Sequence, residues 1–489
     1  MPRYEFSEGT SNKFWEITLS GDSFTTTYGK IGTAGQSTSK SFADAAKAKA
    51  AYDKAVAEKT KKGYALVDDK GGGKSGGKSA AKADDKPAAK AKGKAKDAGA
   101  GKPLDARNPA LEAAIVADPN DREAYAVFAD WLQTQGDLRG ELISLQLANK
   151  DKQAQALIDK HADYFLGPLA EHVEVHDAGY NNASSHLRTS AQEKAWQKTQ
   201  RQAFLWRNGY IHRVRLSHDS YSDENWKGKT VDVLDAVLGH PSGRYVVEFA
   251  FQSNGDPNED DLQDLINLLG KKAPATTRKI SFGDNVDQIS WHHTGNLDKL
   301  WKGVPNLKVL EIETGEFEVG KMNAPALERA IFITGGLSPS CARGIAKATM
   351  PAIQHLEIYY GDPNYGGDCT VQDVLPMLAR SDLGQLRYLG LKNSMFSNDI
   401  ARALVKAPVL KTLETLDLSL GTMTDEGAEA LVRAKDALAH LQVLDLTRNF
   451  LSKKGIKAVK DLCPKVITGG QEEADEDGDD TYYYVSIAE

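Results

Sequence analysis

Hydrophobic residues follow three different spacings along this chain, and each predicts a different kind of element. In Asn12–Leu19 (NKFWEITL), aromatic and β-branched residues nearly alternate with polar ones, which predicts a strand. Gly21-Asp22 marks a turn, and Ser23–Tyr28 (SFTTTY) predicts a second strand. Gly29, Gly32 and Gly35 punctuate the following stretch as tight turns. Ala43–Lys62 is rich in Ala, Lys and Glu and predicts a helix, with Ser41 or Asp44 as its cap and Gly63-Tyr64 as its stop. Residues 1–66 therefore form a small α+β unit.

A helical spacing takes over in residues 105–150. Pro109 opens a segment with Leu111, Ala114 and Ile115 on one face, and Ala124, Val127, Phe128, Trp131 and Leu132 repeat at helical intervals. Gly136-Asp137 breaks the pattern before it resumes at Glu141–Leu147, so this block predicts a compact helical hairpin. Residues 151–208 continue as a helical connector with polar, His-bearing loops.

Over residues 209–470 the spacing becomes a long period. Leu389, Leu416 and Leu444 head similar segments 27 and 28 residues apart, and Leu356 lies 33 residues before Leu389, with the insert GDPNYGGD in its loop. Weaker copies surround Leu327, Leu307, Arg278 and Val246. A period in the high twenties, with LxxLxL followed by a helix, is a leucine-rich-repeat pattern. Each unit is a strand plus a helix, and neighbours must stack to bury either face. Asn449 stands where the pattern places a side-chain amide bonded to the turn backbone.

Between Asp68 and Asp105, Leu104 is the one large aliphatic residue. Such a segment cannot offset its ordering entropy by burial, so residues 67–104 predict a disordered basic linker. The acidic run EEADEDGDD in residues 471–489 predicts disorder too, and Tyr482–Ile487 predicts either an edge strand or a free tail. Charge is unevenly placed. Residues 1–104 hold 20 Lys+Arg against 12 Asp+Glu, whereas the whole chain has a net charge of −7. A basic front with an acidic back suggests contact with a polyanion at one end. No apolar run is long enough to span a membrane, and MPRYEFSEG has no apolar signal region. Three scattered cysteines point to a reducing, cytoplasmic setting and exclude a disulfide framework.

The first block resembles the WGR domain. The resemblance rests on Ser11-Asn12-Lys13-Phe14-Trp15-Glu16, Tyr28-Gly29-Lys30-Ile31-Gly32, Gly35-Gln36, Phe42, Glu58-Lys59 and Gly63-Tyr64. It implies a small sheet with one helix that contacts a DNA end, as in poly(ADP-ribose) polymerases. Tyr28 stands where the family has Trp, and Lys30 where it has Arg, so a ring and a charge are retained while the bidentate fork is lost. No polymerase catalytic domain is apparent in the remainder. The 105–150 block is similar to a short repeat-companion domain found beside leucine-rich repeats in myxobacteria, through Asp118-Pro119, Phe128-Ala129-Asp130-Trp131-Leu132, Gly136-Asp137 and Glu141-Leu142-Ile143. The repeats resemble the ribonuclease-inhibitor class.

Candidate chemistry is sparse. Gly72–Ser79 fits the letters of a phosphate-binding loop, but no strand–helix frame surrounds it, and the linker reading holds. His172 and His176 have a metal-ligand spacing without a third ligand, and Trp291-His292-His293 has no catalytic partner. The chain is therefore expected to be non-enzymatic, with no metal and no cofactor. Lys13, Tyr28, Lys30 and Lys40 are the expected nucleic-acid contacts, reinforced by a Lys arm that acts on phosphates without sequence preference. Glu311, Glu313, Glu357, Tyr359, Lys392, Asp417 and Asp445 are expected on an exposed concave repeat face that meets a protein partner. The overall expectation is an α/β multidomain, monomeric bacterial adaptor that holds DNA at one end and a protein at the other. A pure protein-interaction scaffold is the alternative.

Overall fold

The computed structural model describes residues 3–8, 11–31, 36–41, 44–50, 52, 56, 65–67, 105–173, 190–191, 194, 202–218, 230–253, 262–283, 289, 292–404, 406–478 and 480–488. The chain divides into two compact units, residues 1–93 and 94–489.

The first unit is an antiparallel sheet of β1 (Arg3–Glu8), β2 (Ser11–Ser20), β3 (Ser23–Lys30), β4 (Gln36–Ser41) and β5 (Ala65–Val67), in the order β4-β3-β2-β1-β5. Gly21, at φ +57°, turns β2 into β3. Alternation along β2 sends Trp15 and Ile17 to one face, where they join Tyr4 and Phe24. Tyr52 and Val56, one helical turn apart, pack on this cluster, and most of the helix read over Ala43–Lys62 lies outside the described residues. Gly29 is not a turn residue. It lies inside β3 opposite Phe14, because β3 extends to Lys30. Of the linker read over residues 67–104, Val67 instead pairs with Arg3 in β5, and residues 68–104 lie outside the described residues.

The second unit is built on a long sheet, mostly parallel. Its strands are β6 (Phe204–Arg207), β7 (Tyr210–His218), β8 (Glu248–Ser253), β9 (Lys279–Phe282), β11 (Val309–Glu313), β13 (Arg329–Ile333), β14 (His355–Gly361), β15 (Tyr388–Ser394), β16 (Thr415–Asp417), β17 (Val443–Asp445) and β18 (Lys465–Ile467). They lie in strict sequence order. Between β9 and β13, the short β10 (His293–Asn296) and β12 (Glu316–Glu318) form a separate parallel pair. The sheet starts earlier than the repeat pattern implied. Phe204–Arg207, read as helical connector, pair antiparallel with β7 through Asn208-Gly209, whose φ values of +51° and +80° suit a tight hairpin.

The periodic leucines set the register. Leu356, Leu389, Leu416 and Leu444 lie side by side on successive strands. With Leu391, they face the helices that return the chain, where Val374, Met377, Ile400 and Leu431 complete one continuous core. The intervening residues of each strand point to the far face of the sheet. Asn393, next to the last residue of β15, and Leu420 and Arg448, just past β16 and β17, have φ of +53°, +68° and +52°. Each donates its N–H to the exit of the next unit, at Ser419, Thr447 and Gly469, over 2.9–3.0 Å. Asn449 performs the expected role. Its Oδ1 accepts from Met423 N at 2.9 Å, and its Nδ2 donates to the Leu418 and Leu446 carbonyls at 2.9 and 3.1 Å.

Helices Pro109–Ala117, Arg122–Thr134 and Leu138–Leu147 start at Asn108, Asp121 and Asp137, each accepting backbone N–H bonds. Ile115, Phe128, Leu132 and Ile143 pack with Tyr210 and Tyr245, so this block closes the β6–β7 end of the sheet. Ala114 and Val127 are exposed instead, and Tyr125 takes the buried position. Gly209 permits the close approach, since a Cβ there would meet Ile143 Cγ1 at 2.4 Å. Arg139, 1% exposed, reaches from the helices to Tyr164 Oη (3.0 Å) and Ser242 Oγ (3.1 Å).

The acidic C-terminal segment is ordered where it is described, contrary to expectation. β19 (Asp475–Asp477) and β20 (Asp480–Tyr482) form a small hairpin. Beyond it, the chain neither adds an edge strand nor hangs free. Ser486 N donates to Leu420 O, and Ile487 meets Asn393. Arg448 anchors the start of this return through Glu472 at 2.9 Å.

Asn449 satisfies three buried backbone groups, so Asn449→Ala is expected to lower the unfolding free energy by about 2–3 kcal/mol in urea titrations followed by circular dichroism. A loss below about 0.5 kcal/mol would show that the amide ladder does not carry the turn.

Candidate interaction surfaces

In the first unit, Lys13 lies on β2, Tyr28 and Lys30 on β3, and Lys40 on β4. The register sets Lys13 opposite Lys30, Trp15 opposite Tyr28, and Phe24 opposite Lys40. The side chains of these four expected contacts lie outside what the structure describes, as do the Lys arm and Gly72–Ser79.

In the second unit, the far face of the sheet carries rows of aligned residues. The first row runs Lys279, Val309, Arg329, His355, Tyr388, Thr415, and the second runs Ser281, Glu311, Ile331, Glu357, Gly390, Asp417, Asp445. Lys392 stands beside Tyr359 in the third row. The rows bring six of the seven expected protein contacts onto neighbouring strands, with Glu313 at the end of β11.

Their exposure differs from expectation. Glu313, Glu357, Tyr359, Lys392 and Asp417 are buried, while Glu311 and Asp445 are half-buried. Strand spacing explains much of this, since residues aligned on adjacent strands lie about 5 Å apart and long polar side chains cover one another. Lys392 Nζ sits 3.0 Å from Asp417 Oδ2 and 3.3 Å from Glu357 Oε2, and 5.1 Å from the Tyr359 ring centroid. Tyr388 Oη donates to Asp417 Oδ2 at 2.5 Å, and its ring stacks on His355 at 4.0 Å. His355 Nε2 lies 2.6 Å from Glu357 Oε1, and Arg329 approaches the same carboxylate at 3.8 Å. A second pair joins Lys279 Nζ to Glu311 Oε2 at 2.6 Å, with Ser281 Oγ at 3.0 Å.

Burial alone would raise the Glu357 pKa, but the His355 hydrogen bond and the Lys392, His355 and Arg329 charges overcome it and hold it at about 2. Burial works against the Lys392 ammonium, yet Asp417, Tyr359 and Glu357 raise its pKa and keep it charged. Asp445 shifts upward through burial and the neighbouring Asp417. The cluster is a neutralised ion network.

Alternation in HLEIYY and YLGLKN was enough to place residues 355, 357, 359, 388 and 392 on one face. Arg329, His355 and Tyr388 were legible on that basis but were missed. Asn393, Leu420 and Ile487 were not legible, because their meeting depends on the chain returning from its end.

Other candidates stand apart. His172 is half-buried in the turn Gly167–His172, and His176 lies outside the described residues. The His292 carbonyl accepts from Thr314 Oγ1 at 2.6 Å, and His293 Nδ1 lies 3.1 Å from Glu316, while Trp291 is not described. Cys341 and Cys369 are buried and Cys463 is half-buried, all as free thiols. Among the described residues, no three His, Cys, Asp or Glu side chains group to hold a metal ion, and no helix is long and apolar enough to cross a membrane.

Comparison with known proteins accounts for both units in part. Residues 3–71 match the WGR domain, and residues 409–432 and 437–460 match the leucine-rich repeat. The chain is thus an α/β protein with a WGR domain at its N-terminal end and leucine-rich repeats near its C-terminal end. Over 64 residues it is 44% identical to protein YehF of Escherichia coli (strain K12), a stretch covering 13% of this chain and 23% of YehF. It therefore spans less than a quarter of that relative's length. A crystallised protein from Bacteroides fragilis is similar over 96% of this chain and 97% of its own, with 20% identity and a TM-score of 0.44. The TLR13–ssRNA13 complex is similar over 54% of this chain and 33% of its own (15% identity, TM-score 0.30). An internalin from Listeria monocytogenes is similar over 53% and 88% (12% identity, TM-score 0.22).

Removing the Lys392 ammonium leaves two carboxylates facing each other in a buried setting. Lys392→Met is expected to cost about 3–5 kcal/mol, read by urea unfolding. Because Glu357 is depressed to about 2, its stabilisation is complete above the unfolded carboxyl pKa and is lost as pH falls through about 2. Between pH 5 and pH 3 the wild type should therefore lose more stability than Glu357→Gln, and equal losses would remove the assignment.

Proposed function

We propose that the chain is a non-enzymatic, cytoplasmic, monomeric bacterial adaptor that docks on DNA without sequence preference and holds a protein partner. In this reading residues 1–66, closed by Val67 of β5, are the nucleic-acid head, and the Lys-rich stretch that follows up to residue 104 is an arm that adds phosphate contacts. Residues 105–150 are a repeat-companion cap joined by residues 151–208, residues 209–470 are a leucine-rich-repeat solenoid, and residues 471–489 are its acidic end. The WGR match over residues 3–71 carries the DNA half of the proposal. The repeat match supports the protein half.

Tyr28 and Lys30 keep the two ingredients of sequence-blind binding, a flat ring and a cation. Their departure from Trp and Arg favours the second reading, a scaffold without a nucleic-acid role. Gel shifts with nicked, blunt and single-stranded DNA at two salt concentrations separate the two. The adaptor predicts affinity that falls at least about tenfold between 50 and 200 mM salt, by counterion release, and is lost in Tyr28→Ala plus Lys30→Ala. No shift at the lower salt concentration would leave the scaffold.

A further inference from the structure

We infer that the ends of β14, β15 and β16 form a groove for a peptide, that the chain's own residues 483–488 occupy it in cis, and that a partner carrying a small–aliphatic–small segment takes their place. The inference deepens the protein-binding half of the proposed function and rests on that reading.

The contacts of the C-terminal segment have the form of peptide recognition. Tyr483 packs edge-on to Phe450 at 5.0 Å, Val485 is buried, and Ile487 enters an apolar cluster, while Tyr484 is 53% exposed. Ser486 marks a bend between the buried Val485 and the half-buried Ile487, so the chain turns as Ile487 enters the cluster. The Ile487 cluster consists of Ile289, Ile331, Ile333, Tyr359 and Leu420, drawn from three strand units and one loop.

The backbone is held as well. Ser486 N donates to Leu420 O at 3.0 Å. Asn393 Oδ1 accepts from Ile487 N at 2.9 Å, and Asn393 Nδ2 donates to the Ile487 carbonyl. One carboxamide therefore satisfies both backbone groups of a single residue. Such a clamp reads the main chain of one residue, while the apolar cluster reads its side chain, the division of labour seen in peptide recognition. Asn393 is fully buried within β15, at φ +53°, so its position is fixed by the sheet.

The segment is a removable occupant. It is not a strand of the long sheet, and it is joined to it through the β19–β20 hairpin, whose Asp480, Thr481 and Tyr482 are exposed. Lifting residues 483–488 breaks no ladder of the long sheet. A tethered segment competes at a high effective concentration, so it masks the groove against weak ligands and yields to a better one. Ser486 and Ala488 flank Ile487, which defines the partner segment by chemistry: an aliphatic residue between two small ones.

The test uses the chain truncated after Tyr482 and a fluorescein-labelled peptide, Tyr-Tyr-Val-Ser-Ile-Ala-Glu, followed by fluorescence anisotropy. The truncated chain is expected to bind one peptide at least about tenfold more tightly than the full chain, which still carries the competing segment. Asn393→Ala in the truncated chain should weaken binding about tenfold or more, the loss of two hydrogen bonds. A peptide with Asp in place of Ile should not bind. Full-length Ile487→Asp serves as the second receptor if truncation lowers the melting temperature. The inference is overturned if neither receptor binds the peptide while melting cooperatively. It is also overturned if the full chain forms concentration-dependent dimers that Ile487→Asp abolishes, which would assign the groove to a second copy. If the peptide fails but a purified protein partner still binds the full chain, the protein-binding reading stands and only the peptide groove falls.

Discussion

The in-register ladder from β7 to β18 is the constraint on which the second unit depends. Leu356, Leu389, Leu416 and Leu444 can all reach the helix-covered core only if successive strands align at the same position. A slip of one residue on any strand would turn its leucines to the other face. The same alignment brings residues distant in sequence to within side-chain reach on the far face. Glu357, Lys392 and Asp417 come from strands separated by whole helices, yet form one ion network. Their proximity follows from the leucines, and the charges must then balance where the ladder places them.

The two units were legible to different depths. Alternation foretold β2 and β3 of the first unit, because that signal is local, whereas β1, β4 and β5 had no such signal and Gly29, read as a turn, lies within β3. The period of the leucines foretold the strand order of the second. The errors came where a decisive contact is long-range. Phe204–Arg207 looked like connector because a short antiparallel edge strand has no repeat to announce it. Val127 lies on the helical stripe yet is exposed, because Tyr125 fills the site facing Tyr210 and Tyr245. The polar far-face residues were identified correctly by position but not by exposure, since a linear pattern shows which side a residue faces and not what lies across from it.

The C-terminal segment shows the same limit most clearly. Its acidic run has the composition of a solvated tail, and composition alone favours disorder. Contacts with Arg448, Leu420 and Asn393 outweigh that tendency. These three belong to one repeated position with positive φ, so the segment is held by the same point of successive units while Ile487 packs beside the far face.

That path has a mechanical consequence. In a ladder where each strand touches only its neighbours, loss of order begins at an unsupported terminus and spreads inward unit by unit. A chain end that runs back over β17, β16 and β15 works as a staple: fraying of the last unit must first pull Ile487 from beneath strands two units further in. Whatever displaces the staple also loosens that end, so occupancy of the groove and the firmness of the final repeats are tied together.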